Sequence, residues 1–239
     1  MGGTEKEVAF RKRRRDYSKI KRRNHIRENT EIIRIPGQKV FRPESVLART
    51  RLVNGDRNKV RINKSRKPSA NFPQPEEKDQ FCIVIRIVPK GHTLCKESFD
   101  ILTSLRLVKQ FDARFVRLTD DIRQQLKAIS HLVAFGTPSP EVIARIIHSR
   151  GAFASEEGEK LIQSNHEVME ALTGTGIETI NEIVDTLSEC NQHFDTVADK
   201  LATLHLAKVE VKKPTVLVSK GGMSGWRGEA INEFVLSML

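Results

Sequence analysis

Phe81-Cys82-Ile83-Val84-Ile85-Arg86-Ile87-Val88 is a short β-rich run stopped by Pro89 and Gly91. An apolar segment of this length, bounded by turn residues, reads as a buried strand. Downstream, Thr93 is placed to cap a helix whose apolar positions Cys95, Phe99, Leu102 and Leu105 recur at helical spacing. Ala113-Arg114-Phe115-Val116-Arg117-Leu118 alternates apolar with basic residues, the pattern of a strand with one wet face. Thr119-Asp120-Asp121 then caps a third element, with negative charge in its first turn and an apolar stripe of Ile122, Leu126, Ile129 and Val133. Leu132 to Phe135 reads as a further strand ending at Gly136. The order β-α-β-α-β predicts an α+β core, a small sheet with two helices on one face.

Farther along, Pro140 opens a helix that Gly151 ends, and Asn165 to Leu172 stops at Gly174-Thr175-Gly176. Ile180, Ile183, Val184 and Leu187 form one more helical face, and Phe194, Val197, Leu201 and Leu204 another. Pro214 to Val218 reads as a last strand, before Gly221-Gly222 and a terminal amphipathic helix around Ile231, Phe234 and Val235.

Upstream of Phe81 the character changes. The chain has 239 residues and a formal net charge of +11, but residues 1–80 carry +13 and residues 81–239 carry −2. The predicted division is a basic extension with a Pro-containing hinge over 1–80 and a globular body over 81–239. The extension has four aromatics between Thr4 and Gln80, too little core to offset its ordering entropy, so it needs a polyanion to order it. Thr4-Glu5-Lys6-Glu7 has capping-box spacing before Arg11-Lys12-Arg13-Arg14-Arg15, Lys19, Lys21-Arg22-Arg23 and Arg27. A second stretch holds Arg49, Arg51, Arg57, Lys59, Arg61, Lys64, Arg66 and Lys67, with Asn54-Gly55-Asp56 interrupting it. Pro68, Pro73 and Pro75 form the hinge. Two basic clusters suit nuclear import, but the surplus spans far more residues than such a signal needs, and wrapping of a polyanion explains its extent.

Other classes find little support. No run of 18 apolar residues is present, the first residues lack a secretory apolar core, and Lys6 stands where myristoylation wants Ser or Thr. Cys82, Cys95 and Cys190 have neither disulfide nor zinc spacing, which fits a reducing compartment. The histidines form no HxxxH or HExxH pair, and each reads as a single surface or helix-end residue. Gly221 to Gly228 lacks the Gly-Lys-Ser/Thr ending of a phosphate loop and reads as a loop laid against backbone. Glu156, Glu157 and Glu159 read as a solvated loop, and Asp120-Asp121 as helix N-terminal charge. No catalytic residues, metal site, cofactor or small-molecule substrate is expected, and no membrane.

Several landmarks occur in a familiar order. They are Pro43-Glu44-Ser45-Val46-Leu47; Phe72-Pro73-Gln74-Pro75-Glu76 before the first strand; and Leu102 to Phe111. Phe115-Val116-Arg117-Leu118-Thr119, Ala134-Phe135-Gly136-Thr137-Pro138 and Ser149-Arg150-Gly151 follow. Gly176-Ile177, Gly221-Gly222 and Arg227-Gly228-Glu229-Ala230-Ile231-Asn232 close the series. Over residues 43–239 the chain resembles the eukaryotic L-seven type of large-subunit ribosomal protein, homologous to bacterial L-thirty. It departs from that pattern at Ala152-Phe153-Ala154, where basic and aromatic residues are usual, and over Ala202 to Val211 before Pro214, which lacks the family's Trp-Pro-Phe character.

The resemblance implies an antiparallel sheet with helices on one face, related to the ferredoxin-like arrangement. It also implies a structural constituent of the large, cytosolic ribosomal subunit that binds large-subunit ribosomal RNA beside neighbouring ribosomal proteins, after nuclear and nucleolar transit. The cations named above are then the RNA contacts, with Arg114, Arg117, Lys220 and Arg227 in the body. Rival readings are a paralogous assembly factor on precursor RNA and a general DNA- or chromatin-binding protein.

Overall fold

The structure, a computed structural model, describes residues 43–66, 80–155, 158–210 and 213–239. The chain divides into units 1–45 and 46–239. Strand β1 (Phe81–Arg86) is central and buried along its whole length. It pairs antiparallel with β2 (Asp112–Arg117) on one side and β3 (Val133–Gly136) on the other. Short strands extend both edges: β6 (Leu204–His205) joins β2 antiparallel, and β7 (Gly225–Trp226) joins β3 in parallel. The order is β6-β2-β1-β3-β7. The α+β class is as expected, but the sheet is mixed rather than purely antiparallel. The parallel pair arises because Pro214 to Val218 folds as turns leading into a 3₁₀ turn at Val218–Lys220, leaving Gly225–Trp226 to enter the sheet.

The unbroken apolar run of β1 follows from cover on both faces. Cys82 and Val84 pack with Leu102 of α2 (Lys96–Ser104) and with Leu126 and Ile129 at α3 (Asp120–Ala128). These are the two helices of the predicted β-α-β-α-β segment, and they share one face. Ile83 and Ile85 pack on the other face against α4 (Pro140–Arg150), α5 (Asn165–Ala171), α6 (Ile180–Ser188), α7 (Phe194–Lys200) and α8 (Ile231–Leu236). A hairpin of β4 (Ala152–Ser155) and β5 (Gly158–Leu161) follows α4. Glu159 lies on its exposed strand, while Glu156 and Glu157 fall outside the described residues.

Two boundaries differ from the periodicity. Leu204, in phase with α7, belongs to β6, because α7 ends at Lys200 and the chain turns extended at Leu201. Helix α2 is capped by the thiol of Cys95, which accepts from the Ser98 N–H, and not by Thr93. Arg86, at the end of β1, is 4% exposed. Its guanidinium donates to the carbonyls of Val88, Leu107 and Val108 at 2.9 Å each, so the buried charge is fully occupied with backbone.

Where β3 meets the turn before α8, Gly136 has no room for a side chain: a Cβ would sit 2.3 Å from the Gly228 carbonyl oxygen. Gly136→Ala is expected to cost about 2 kcal/mol through overpacking, seen as a lower denaturation midpoint with unchanged m-value. Among the described residues, no helix is long and apolar enough to cross a membrane.

Candidate nucleic-acid interface

Six of the described cations lie on one helix, α1 (Pro43–Ser65). Arg49, Arg51, Arg57, Lys59, Arg61 and Lys64, with Arg66 just beyond, are all exposed. Asn54-Gly55-Asp56 does not interrupt this stretch; the helix runs through it. Glycine and asparagine together cost about 1.5 kcal/mol relative to alanine in a helix interior, so packing must supply the difference. It does so through Val53, Asp56, Val60 and Asn63, whose 3-4-3 spacing places them on one side of α1. Val60 packs with Cys95 and Ala128. This docking packs α1, from Val53 to Asn63, against the body.

A buried polar cluster carries the docking. Asp56 Oδ1 lies 2.7 Å from His131 Nε2, and Oδ2 accepts from the Cys95 N–H at 2.7 Å. Asn63 Nδ2 donates to the Ala128 carbonyl at 3.3 Å and faces His131 Nδ1 at 3.0 Å. An amide nitrogen cannot accept, so His131 Nδ1 accepts and Nε2–H donates to Asp56. Burial opposes ionisation of Asp56, but the hydrogen bonds from His131 and the Cys95 N–H outweigh it and hold its carboxyl well below the usual carboxylate range. Lys64 adds an exposed ion pair to Glu97, at the first turn of α2. His131, read as a surface histidine, is instead 3% exposed and structural.

A groove of about 660 Å³ runs between α1, α2 and α3, lined by Arg57 and Lys64 on one wall and Asp100, Asp121, Gln124 and Gln125 on the other. Its charges offset one another, so the outer surface of α1, not the groove, is the cationic feature.

The body cations behave differently. Arg114 and Arg117 do not line an exposed face, because α7 lies along β2 beyond the short β6 pairing. Arg114 Nη2 donates to Asp199 at 2.5 Å, and Arg117 Nε is 3.3 Å from Asp195 Oδ2. Arg117 Nη2 also donates to the Asn191 carbonyl at 2.6 Å, with the guanidinium 5.4 Å from the centroid of the Phe194 ring. Both arginines clasp α7 to the sheet. Arg227 stacks 4.1 Å from the Phe234 ring and donates to the Met223 carbonyl, and burial lowers its pKa. Lys220 is exposed. Arg11 to Arg15, Lys19, Lys21 to Arg23, Arg27 and Lys67 lie outside the described residues.

Charge is segregated within the body as well. Residues 161–200 hold eight carboxylates, with Lys200 the sole Lys or Arg. Two of them close helix starts: Glu167 accepts from the Gln163 and Ser164 N–H groups, and Glu182 from those of Glu178 and Thr179. These backbone hydrogen bonds hold both carboxyls below their ordinary range. The acidic helices α5 to α7 cover the sheet face opposite α2 and α3, and so lie across the sheet from α1.

No family model matches the chain. Comparison with curated proteins finds the large ribosomal subunit protein uL30A of Schizosaccharomyces pombe, 26% identical over 97% of this chain and 93% of that protein. The uL30z protein of Arabidopsis thaliana is 27% identical over 83% of this chain and 80% of its own length. The ribosome biogenesis protein RLP7 of Kluyveromyces lactis is 30% identical, over 46% of this chain and 37% of its own. The chain is thus similar, at low identity and along nearly its whole length, to proteins named large ribosomal subunit protein uL30.

Proposed function

We propose that this protein is a structural constituent of the large ribosomal subunit, binding large-subunit ribosomal RNA through α1 and the basic residues before it. The observation that carries the reading is the row of exposed Arg and Lys on a helix fixed to the body by a buried carboxylate. Folded RNA offers dense phosphate, to which Arg gives paired donors. Of the four body cations Arg114, Arg117, Lys220 and Arg227, Lys220 is the exposed one and the natural secondary contact; the three arginines act chiefly within the fold. The acidic helices suit neighbouring ribosomal proteins rather than RNA. The role is non-enzymatic, and the working location is the cytoplasmic ribosome after nucleolar assembly.

The match to RLP7 favours one alternative, an assembly factor that binds precursor RNA and leaves. Sedimentation of the tagged full-length protein separates the two. A ribosomal constituent co-sediments with mature large subunits and polysomes at about one copy per subunit. Confinement to precursor particles would select the assembly factor, and sedimentation with chromatin would reject both.

A further inference from the structure

We infer that α1 reads unpaired RNA bases through a stripe formed by Arg51, Asn54, Asn58 and Arg61, in addition to holding phosphate. The inference rests on the RNA-binding reading above and adds a specificity element to it.

The stripe follows from the docking of the helix. Val53, Asp56, Val60 and Asn63 face the body. Arg51, Asn54, Asn58 and Arg61 each stand two residues earlier, a rotation of about 200°, so they point away from it. All four are exposed. Neither asparagine side chain has a hydrogen-bond partner among the described residues. The row spans about 15 Å at the helical rise, the reach of roughly four stacked bases.

Residue choice sets this face apart from an ordinary solvated one. A helix side that only meets water favours Glu, Lys, Gln and Ala, which support the helix; Asn and Gly weaken it. Arg and Asn are the side chains whose paired donors and acceptors match the edges of guanine and adenine. Gly55 is the second, independent sign. A Cβ there would meet nothing within 4 Å, and its φ is not in the left-handed region. Neither packing nor backbone conformation calls for glycine, whereas an external partner pressed against the helix does. RNA bases open to side chains occur mainly in loops and bulges, so the occupant is RNA with unpaired nucleotides.

The test measures binding of the full-length protein to purified large-subunit ribosomal RNA, a shuffled RNA of equal length, and duplex DNA. Asn54→Ala with Asn58→Ala is expected to reduce the preference for ribosomal over shuffled RNA at least tenfold and leave the salt slope unchanged, since no charge is removed. Lys59→Gln should weaken both RNAs alike and lower the slope by about 0.7 to 0.9. Gly55→Ala should raise the melting temperature by a few degrees while weakening ribosomal RNA binding about tenfold. Those opposite signs cannot come from a folding defect. A preference that survives the double asparagine variant, or wild-type binding by Gly55→Ala, overturns the stripe and leaves the ribosomal reading standing. Equal binding of both RNAs by the wild type defeats both. A preference for duplex DNA that the asparagine variants abolish would overturn RNA as the occupant.

Discussion

Asp56→Ala is expected to release α1 from the body at a cost of about 3 kcal/mol, the range for losing one partner of a buried charged hydrogen-bond pair. The substitution strands the His131 Nε2–H and the Cys95 N–H in a site where Asp56 is 5% exposed and His131 3%. Hydrogen exchange should locate the damage: amides of α1 and the first turn of α2 lose protection, while β1 and β3 keep theirs. Asp56→Asn retains the shape and should cost less. Because the carboxyl of Asp56 is depressed in the folded state, its contribution is complete above the unfolded carboxylate range, near pH 4. It declines as the pH falls toward the folded value. The stability gap between wild type and Asp56→Asn should therefore be constant from neutrality down to about pH 4 and narrow below it. A gap that widened on acidification would contradict the charged state assigned to Asp56.

Neutralising Arg51, Arg57, Lys59 and Arg61 together to Gln should lower affinity for large-subunit ribosomal RNA by about a hundredfold or more near physiological salt. It should also reduce the slope of log K against log salt by about three, four contacts at 0.7 to 0.9 each. Stability should move little, since all four side chains are exposed. The parallel substitution of Arg114 and Arg117 should do the reverse. Loss of the clasps to Asp199 and Asp195 loosens α7, and the salt slope changes little. Measuring both quantities on both variants separates RNA contact from fold support. Equal slopes for the four-residue variant and the wild type would remove α1 from the interface.

Much of the body was legible because its signals are local. The strand starting at Phe81, six of the eight residues in its apolar run, the Thr119 cap, Pro140 at a helix start and Gly151 at its end all keep their expected places. What escaped was set by distant residues. Leu204 follows the α7 period, yet pairs with Ala113 on β2. Arg114 and Arg117 read as solvent-facing, because nothing near them announces that α7 will lie along the sheet edge. The docking side of α1 escaped because half of its contacts are polar: Val53, Asp56, Val60 and Asn63 repeat at helical spacing, but a search for apolar periodicity passes over Asp and Asn. The available signal was the 3-4-3 spacing itself, and recognising it required His131, 75 residues beyond Asp56.

The separation of α1 from the carboxylate-rich helices across the sheet gives the molecule an electrical head and tail. Near a dense polyanion, a body polarised in this way experiences a torque as well as an attraction, and rotates before it touches. On the proposed RNA-binding role of α1, collisions then occur predominantly with α1 leading, so a greater share of them are productive, and capture slows as added salt shortens the reach of the field.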